Sequence, residues 1–496
     1  MNHLAVIKNL GLFSMALCVL YLPSLCWALW FWETEMLAAF FQSAAVVLFI
    51  GGLMLVVGRR ARSRLLNRET LALVGVGWLV IAAYGALPFV FSGTLSFVDA
   101  YFESMSGFTT TGATVLTDIE ATPKSLLFWR SFTHWLGGLG IILLIIIVLP
   151  FLGAGGKLLY RSEVPGLDKQ GLRPRIKDSA LILFKIYAAL TVLMTLLLTL
   201  AGMDLFEAFC HTFGTLATGG FSTRNASIAA YDSVIIEAII VVFMIIAGTS
   251  FGLLYCLSQK DWRKILGNSE WRLYMAILGI SAALIAANLL GMQGTLAVVE
   301  TDGHATHISS VFTSVRMAVF QTVSIMTTTG YCTADFDAWP YFSRSLMVLL
   351  MFIGASSGST GGGLKVVRIM ILGKLIRHHL ERTFRPKHIR VMRVDRMTVN
   401  EEVQRSVLSY FLIYIAVAGL SVVYLSGLGL PAETSFTSVV ATLNNIGPGL
   451  ELVGAVENYA FIPVPGKILL SLLMAMGRLE LYAICVLFVP SFWRRA

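Results

Sequence analysis

Apolar residues gather in long runs along this chain, and the polar ones collect between them. Runs of about 20 residues or more, enough to cross a bilayer, lie near 10–32, 36–58, 70–91, 126–152, 179–201, 234–258, 272–291, 341–376, 406–429 and 463–490. Each predicts a membrane-spanning helix. Four shorter amphiphilic stretches, 97–111, 204–217, 310–326 and 432–443, are too brief to span and predict half-helices that enter the membrane and return.

Composition agrees. With 57% hydrophobic and 13% charged residues over 496 positions, the chain is too apolar for a soluble globule, in which roughly a quarter of residues are charged. The class is polytopic membrane protein. A formal charge of +9 raises the question of a nucleic-acid partner, but the basic residues crowd into a few interhelical loops rather than a binding face, so none is expected. Six cysteines are scattered through apolar segments without CxxC spacing, which indicates neither a disulfide framework nor a zinc site. The first run, Leu10 to Trp32, is long for a signal-peptide core and reads as a membrane helix.

The lysines and arginines set orientation. Arg59 to Arg68, Lys157 to Lys177, Lys260 to Arg272, Lys365 to Arg396, and Arg494 with Arg495 hold most of the 37 basic residues. By the positive-inside rule these places, and both termini, are cytoplasmic. The half-helices then enter from the outer side, where Asp118, Glu120, Asp335, Asp337, Glu451 and Glu457 would attract cations.

The half-helices end alike: "FTTTGAT" (Phe108 to Thr114), "LATGGFS" (Leu216 to Ser222), "MTTTGYC" (Met326 to Cys332) and "NNIGPGL" (Asn444 to Leu450). Aligning them on Gly112, Gly219, Gly330 and Gly447 gives a period of roughly 110 residues, beyond that of solenoid repeats and suited to a unit of spanning helix, half-helix, loop and spanning helix. Asp99 and Asp204 are the expected N-caps, with Thr434 or Ser435 in the fourth unit. About ten residues of helix reach roughly 15 Å, half the hydrocarbon thickness. Each half-helix therefore aims the negative end of its dipole at mid-membrane, where it favours a cation. Irregular backbone at that depth must line a cavity or be buried in protein, and glycine permits the left-handed conformations that turn successive carbonyls one way. Rings of such carbonyls replace an ion's water in potassium-channel filters, and "TTTGYC" differs little from their TVGYG type.

These four segments, with "SSGSTGGGLKVVR" (Ser356 to Arg368) and "MGRLELY" (Met476 to Tyr482), make the chain resemble the Trk/Ktr/HKT superfamily of potassium transporters, its bacterial TrkH type above all. The resemblance implies an all-α polytopic fold of four pseudo-symmetric helix, pore-helix, helix repeats around a central pore, behind two extra leading helices. The divisions expected are 1–68 for the leading pair and 69–176, 177–268, 269–396 and 397–496 for the repeats. It also implies potassium uptake in the bacterial inner membrane, a homodimer in lipid, and a cytosolic RCK-type nucleotide-binding regulatory subunit. Potassium is the ion and no covalent cofactor is expected. Its sites would be backbone carbonyls of Thr110, Thr111, Gly112 and Ala113; Ala217, Thr218, Gly219 and Gly220; Thr328, Thr329, Gly330 and Tyr331; and Asn445, Ile446, Gly447 and Pro448. In plant relatives a serine at the first filter glycine accompanies sodium transport, so four glycines favour potassium. The fourth segment departs from the threonine-rich pattern at Asn445, Ile446 and Pro448. Coupling to sodium or protons stays open as the alternative.

The run Gly354 to Lys365 interrupts an apolar stretch too long for one crossing. It is no phosphate cradle, because no glycine precedes Lys and Ser/Thr. Either it is a cytoplasmic turn or, as the family's gating loop suggests, an intramembrane barrier formed by Gly354, Gly358, Ser359, Thr360, Gly361, Gly362 and Gly363. Arg478 lies midway along the final apolar run, where an arginine costs about 2.5 to 3.5 kcal/mol. It is expected either to pair with a carboxylate on another helix or to reach below the filter and bond that loop's carbonyls. His304 and His307 read as a solvated loop rather than a metal site, and His134 and His211 as packed polar residues. No nucleophile and base stand together, so an intramembrane enzyme is the weakest alternative.

Overall fold

The apolar runs fold as helices, and the places where polar or glycine residues interrupt them are the places where those helices break. The computed structural model describes residues 2–61, 67–148, 176–291, 300–301, 304–305, 310–385, 392–395 and 397–494. Most of the basic loop 157–177, together with Arg62, Arg64, His307, Lys387, Arg390, Arg396 and Arg495, lies outside them.

The leading pair is α1 (His3–Leu20), which continues through a break at Tyr21 into α2 (Leu22–Trp30), and α3 (Thr34–Gly58). Four units of like order follow. The first is α4 (Asn67–Phe91), α5 (Phe97–Phe108) and α6 (Lys124–Val148). In the second, α7 (Ile176–Leu200) and α8 (Leu205–Leu216) precede α9 (Val234–Ala247) and α10 (Phe251–Ser258), with α11 (Trp262–Leu266) as a connector. The third has α12 (Ser269–Leu290), α13 (Val311–Met326), α14 (Tyr341–Phe352) and α15 (Val366–Phe384). The fourth has α16 (Glu401–Gly427), α17 (Ala432–Leu443), α18 (Val464–Arg478), α19 (Tyr482–Cys485) and α20 (Pro490–Trp493). Strand is confined, among the described residues, to two antiparallel pairs of two-residue strands. The fold is all-α and polytopic.

Six continuous spans among the described residues are long and apolar enough to cross a bilayer. Their outer faces are apolar too: Val192, Leu200, Leu420 and Val423 are exposed, as contact with lipid tails requires. The short helices are the opposite case. From Phe102 to Phe108 every residue of α5 is buried, and α8, α13 and α17 are similarly enclosed toward their C-terminal ends.

Three of the long apolar runs are broken, two of them expected as single spans. The run 234–258 bends by 103° between α9 and α10, at the small polar residues Gly248, Thr249 and Ser250. The run 341–376 is interrupted between α14 and α15, as the glycine-rich sequence predicts. The run 463–490 ends its helix at Arg478 and turns through Glu480, which holds a left-handed φ of 60°. Arg478 is therefore a helix-terminal residue and not a mid-helix one. The capping expectations also need correction. Ser96 caps α5, accepting from the Asp99 amide, while Asp99 sits inside the first turn and accepts from the Ser96 hydroxyl. Asp204 caps α8 as expected. Pro431 starts α17 and leaves Thr434 and Ser435 inside the helix.

Candidate ion-conduction site

All four half-helices end in the same hydrogen-bonded turn. In α5 the Thr110 amide donates to Gly107 O at 3.0 Å and the Thr111 amide to Ser106 O at 2.9 Å. Thr218 and Gly219 do the same with Thr215 and Gly214, Thr328 and Thr329 with Ile325 and Ser324, and Asn445 and Ile446 with Thr442 and Ala441. This is the Schellman closure, whose first residue past the helix is left-handed. That residue is Thr110 (φ 52°), Thr218 (56°), Thr328 (60°) or Asn445 (55°). A threonine there costs about 1 to 2 kcal/mol, and asparagine less. Asn445 thus keeps the backbone of the other three despite its departure from their sequence.

Two residues on, a second left-handed position is held by glycine: Gly112 (84°), Gly220 (79°), Gly330 (78°) and Gly447 (99°). The register of the second segment is therefore one residue later than the alignment on Gly219. Gly220 is the equivalent glycine, 218–221 is the equivalent quartet, and Ala217 is the C-cap of α8.

The glycines show how the segments meet. A Cβ on Gly112 would fall on the carbonyl oxygen of Gly219, one on Gly220 on that of Thr329, and one on Gly330 on that of Ile446. A Cβ on Gly447 would lie 2.8 Å from Thr111 O. Each segment's glycine packs on the next segment's carbonyl, in chain order, and the last closes on the first. Thr111, Gly219, Thr329 and Ile446 occupy one position in the register, so their carbonyls form a four-membered layer. All four glycines also line one cavity of about 120 Å³. It is a narrow ring of backbone oxygens opening into a small mouth, with four helix C-termini aimed at it. Such a site can replace the hydration shell of a monovalent cation.

The backs of the segments are held differently. Glu103 accepts from the Thr114 hydroxyl and Val115 amide, both at 2.9 Å, and from Arg130 Nε at 2.6 Å. Arg130 also donates to Ser222 O and lies over the Phe221 ring at 3.5 Å. His134 stacks on the same ring with centroids 4.0 Å apart, and a Cβ on Gly219 would meet its imidazole. The Tyr331 hydroxyl donates to His211 O and Phe221 O, and Ser324 donates to Tyr331 O at 2.7 Å. Tyr331 is thus a brace, and its carbonyl is engaged behind the ring. Asn445 donates to Thr111 Oγ1 and Met474 O, tying the fourth segment to the first.

The loop between α14 and α15 packs against the base of this ring. Gly362 N donates to Thr328 Oγ1 at 2.7 Å, and Thr360 Oγ1 donates to Leu216 O at 2.9 Å and Ala247 O at 3.2 Å. The break between α9 and α10 is where the loop docks. Gly248 O accepts from Ser356 N, and Phe251 N donates to Gly358 O, so the loop satisfies backbone groups that the break frees. Gly354 lies against Gly362 O, while Ser359 and Gly361 are buried and Gly358 and Gly363 are left-handed. Arg478 closes the assembly. It is buried, and its guanidinium donates to Thr360 O and, at 3.1 Å, to Gly137 O. Its partners are carbonyls, and no carboxylate pairs with it among the described residues. Glu480 pairs instead with Arg368.

A family model described as TrkH, cation transport protein, matches residues 37–495. This chain belongs to the TrkH family of cation transport proteins. The family is one of transporters, not enzymes. The chain is 39% identical over 462 residues to the Trk system potassium uptake protein TrkH of Escherichia coli K12, covering 92% of each chain. It is 36% identical over 493 residues to the protein of that name from Halomonas elongata, covering 99% of each. The crystal structure of the potassium transporter TrkH from Vibrio parahaemolyticus superposes with a TM-score of 0.89 at 33% identity, covering 100% of both chains.

Against this TrkH-family fold, sequence reasoning missed Glu103, Arg130, Glu270 and the break at Gly248. Glu103 and Arg130 carried a signal, being charges inside apolar stretches. So did Gly248-Thr249-Ser250, a small polar cluster inside a long apolar run.

Proposed function

We propose that this protein takes up potassium across the bacterial inner membrane, through the ring of carbonyls at Thr111, Gly219, Thr329 and Ile446 with those of the flanking residues in the corrected register. The closed, chain-ordered packing of four left-handed glycines on four carbonyls carries this reading, and relatives named potassium uptake proteins support it. An arriving ion exchanges water for backbone oxygens in a frame that the Schellman turns and the Glu103, Tyr331 and Asn445 braces keep open. Inward movement draws on the membrane potential, about 2.3 kcal/mol per charge per 100 mV.

The loop from Gly354 to Gly363 is the barrier below the ring. Thr360 and Gly362 bond the bases of the second and third segments, and Arg478 puts a positive charge against Thr360 O, repelling a cation from below. The repeats are 69–176, 177–268, 269–396 and 397–496, behind a leading pair in 1–68, with both termini cytoplasmic. A homodimer and an RCK-type cytosolic regulator belong to the same reading. The basic end of α15, with Arg377, Arg382 and, just past it, Arg385, is the docking place, and equal recovery of the regulator after charge reversal there would count against it.

Reconstituted protein under opposing potassium and pH gradients tests the transport reading. A reversal potential that follows potassium alone supports a gated channel. One that moves with pH replaces it by proton-coupled symport, and absence of any potassium-dependent flux removes both.

A further inference from the structure

Glu270, the second residue of α12, carries a carboxylate buried at 7% exposure. Its Oε1 accepts from two backbone amides that flank the barrier loop: Ser357 N at 2.7 Å, in the loop's first half, and Val367 N at 3.2 Å, just past its end. Val367 lies in the first turn of α15, whose N-cap position is Lys365 and which has no side-chain cap of its own. An unsatisfied helix N-terminus takes an anionic acceptor readily. Glu270 supplies it from a neighbouring helix, and the same oxygen clips the loop's entry to the start of α15.

Opposite charges therefore grip the loop through its backbone. Arg478 bonds a carbonyl at Thr360, and Glu270 bonds an amide at Ser357. The remaining contacts from other elements, at Gly362, Thr360, Ser356 and Gly358, are neutral hydrogen bonds, while Lys365 at the end of the run donates a charged bond back to Gly361 O. A charge-assisted bond is roughly twice as strong as a neutral one, so Arg478 and Glu270 dominate the hold that other helices have on the loop.

We propose that Glu270 is a positioning residue that latches the barrier loop closed, an inference that rests on the gating reading above. Moving the loop aside breaks the Ser357 bond and leaves a buried carboxylate short of a donor. The Val367 bond survives, so α15 stays anchored while the loop swings. Glu270 makes no contact with the carbonyl ring and acts on flux without setting selectivity.

The test measures basal potassium flux and the potassium/sodium permeability ratio in proteoliposomes for Glu270→Ala, Glu270→Gln and Arg478→Ala. Glu270→Ala is expected to raise basal flux about tenfold, the effect of one charge-assisted hydrogen bond on a two-state equilibrium, with the ratio unchanged. Glu270→Gln, which keeps an acceptor oxygen without the charge, is expected to fall between it and the unsubstituted protein. That graded rescue distinguishes a latch from a residue needed only for folding. If Arg478→Ala raises flux while folded Glu270→Ala does not, the latch is overturned and the gating reading stands. If neither does, both fall. Should Glu270→Ala fail to fold, Glu270→Gln decides: flux above the unsubstituted level supports the latch, and flux at or below it overturns it.

Discussion

The adjacent glycines of the second segment face different neighbours. Gly220 needs a left-handed φ of 79° and lies on Thr329 O, whereas Gly219 has an ordinary φ and lies against the His134 ring. Gly220→Ala is therefore expected to abolish selective transport, because both the backbone and the Thr329 carbonyl must shift. Gly219→Ala pushes only a side chain. Its defect should be largely relieved in the double variant Gly219→Ala/His134→Ala, while His134→Ala should leave Gly220→Ala unrescued. Ion-flux assays on the four variants check this register directly, and rescue of Gly220→Ala would reverse it. The adjacent pair also explains why the position escaped sequence alignment. A glycine required by φ and one required by close approach look the same as letters, and only the second left-handed position separates them.

At the scale of elements, helices were legible where they are long and apolar, and breaks were legible only where glycine is dense. The Gly354 to Gly363 run announces its loop. The bend at Gly248 is carried by three residues in an otherwise good span, and the turn after Arg478 follows one glycine, so hydropathy passes over both. Yet both breaks meet the same loop, since freed backbone groups near Ala247 and Gly248 receive it and the end of α18 delivers Arg478 to it. Charge was the more useful signal there. An arginine inside an apolar run called for either a carboxylate on another helix or the loop's carbonyls, and the structure has it bond Thr360 O. Arg478→Ala is expected to raise basal potassium flux with little change in selectivity, which the proposed function assigns to the carbonyl ring. Unaltered or lower flux from a folded variant would remove the barrier role.

Across the whole molecule, ion pairs join neighbouring units near the start of three of the four long helices that follow a half-helix. Glu237, fourth residue of α9, pairs with Arg316 of α13 at 2.6 Å. Arg344, fourth in α14, pairs with Glu433 of α17 at 2.6 Å, and Lys467, fourth in α18, pairs with Asp99 of α5 at 2.5 Å. The last pair joins the fourth unit back to the first. Between the first and second units the charged contacts include Arg130 of α6, over the Phe221 ring at 3.5 Å and donating to Ser222 O, and Lys124 of α6 over the Phe206 ring at 6.0 Å. The roughly 110-residue period was visible in sequence, but the pairing was not, since the partners lie up to 368 positions apart and change sign between units. A double-mutant cycle on Lys467 and Asp99, read by thermal unfolding in detergent, is expected to give a coupling of about 1 kcal/mol or more. Additive effects would mean that the seam contributes nothing.

In the proposed function four glycine-backed carbonyls in chain order select the ion. The most direct measurement is the bi-ionic reversal potential, potassium on one side of a planar bilayer and sodium on the other, for the unsubstituted protein and Gly330→Ser. Gly330 has a φ of 78° and lies against Ile446 O, so an added side chain strains the backbone and displaces a ring oxygen together. The expected result is a potential strongly favouring potassium in the unsubstituted protein and a marked collapse toward zero in the variant. A potassium/sodium ratio unchanged by Gly330→Ser would contradict it.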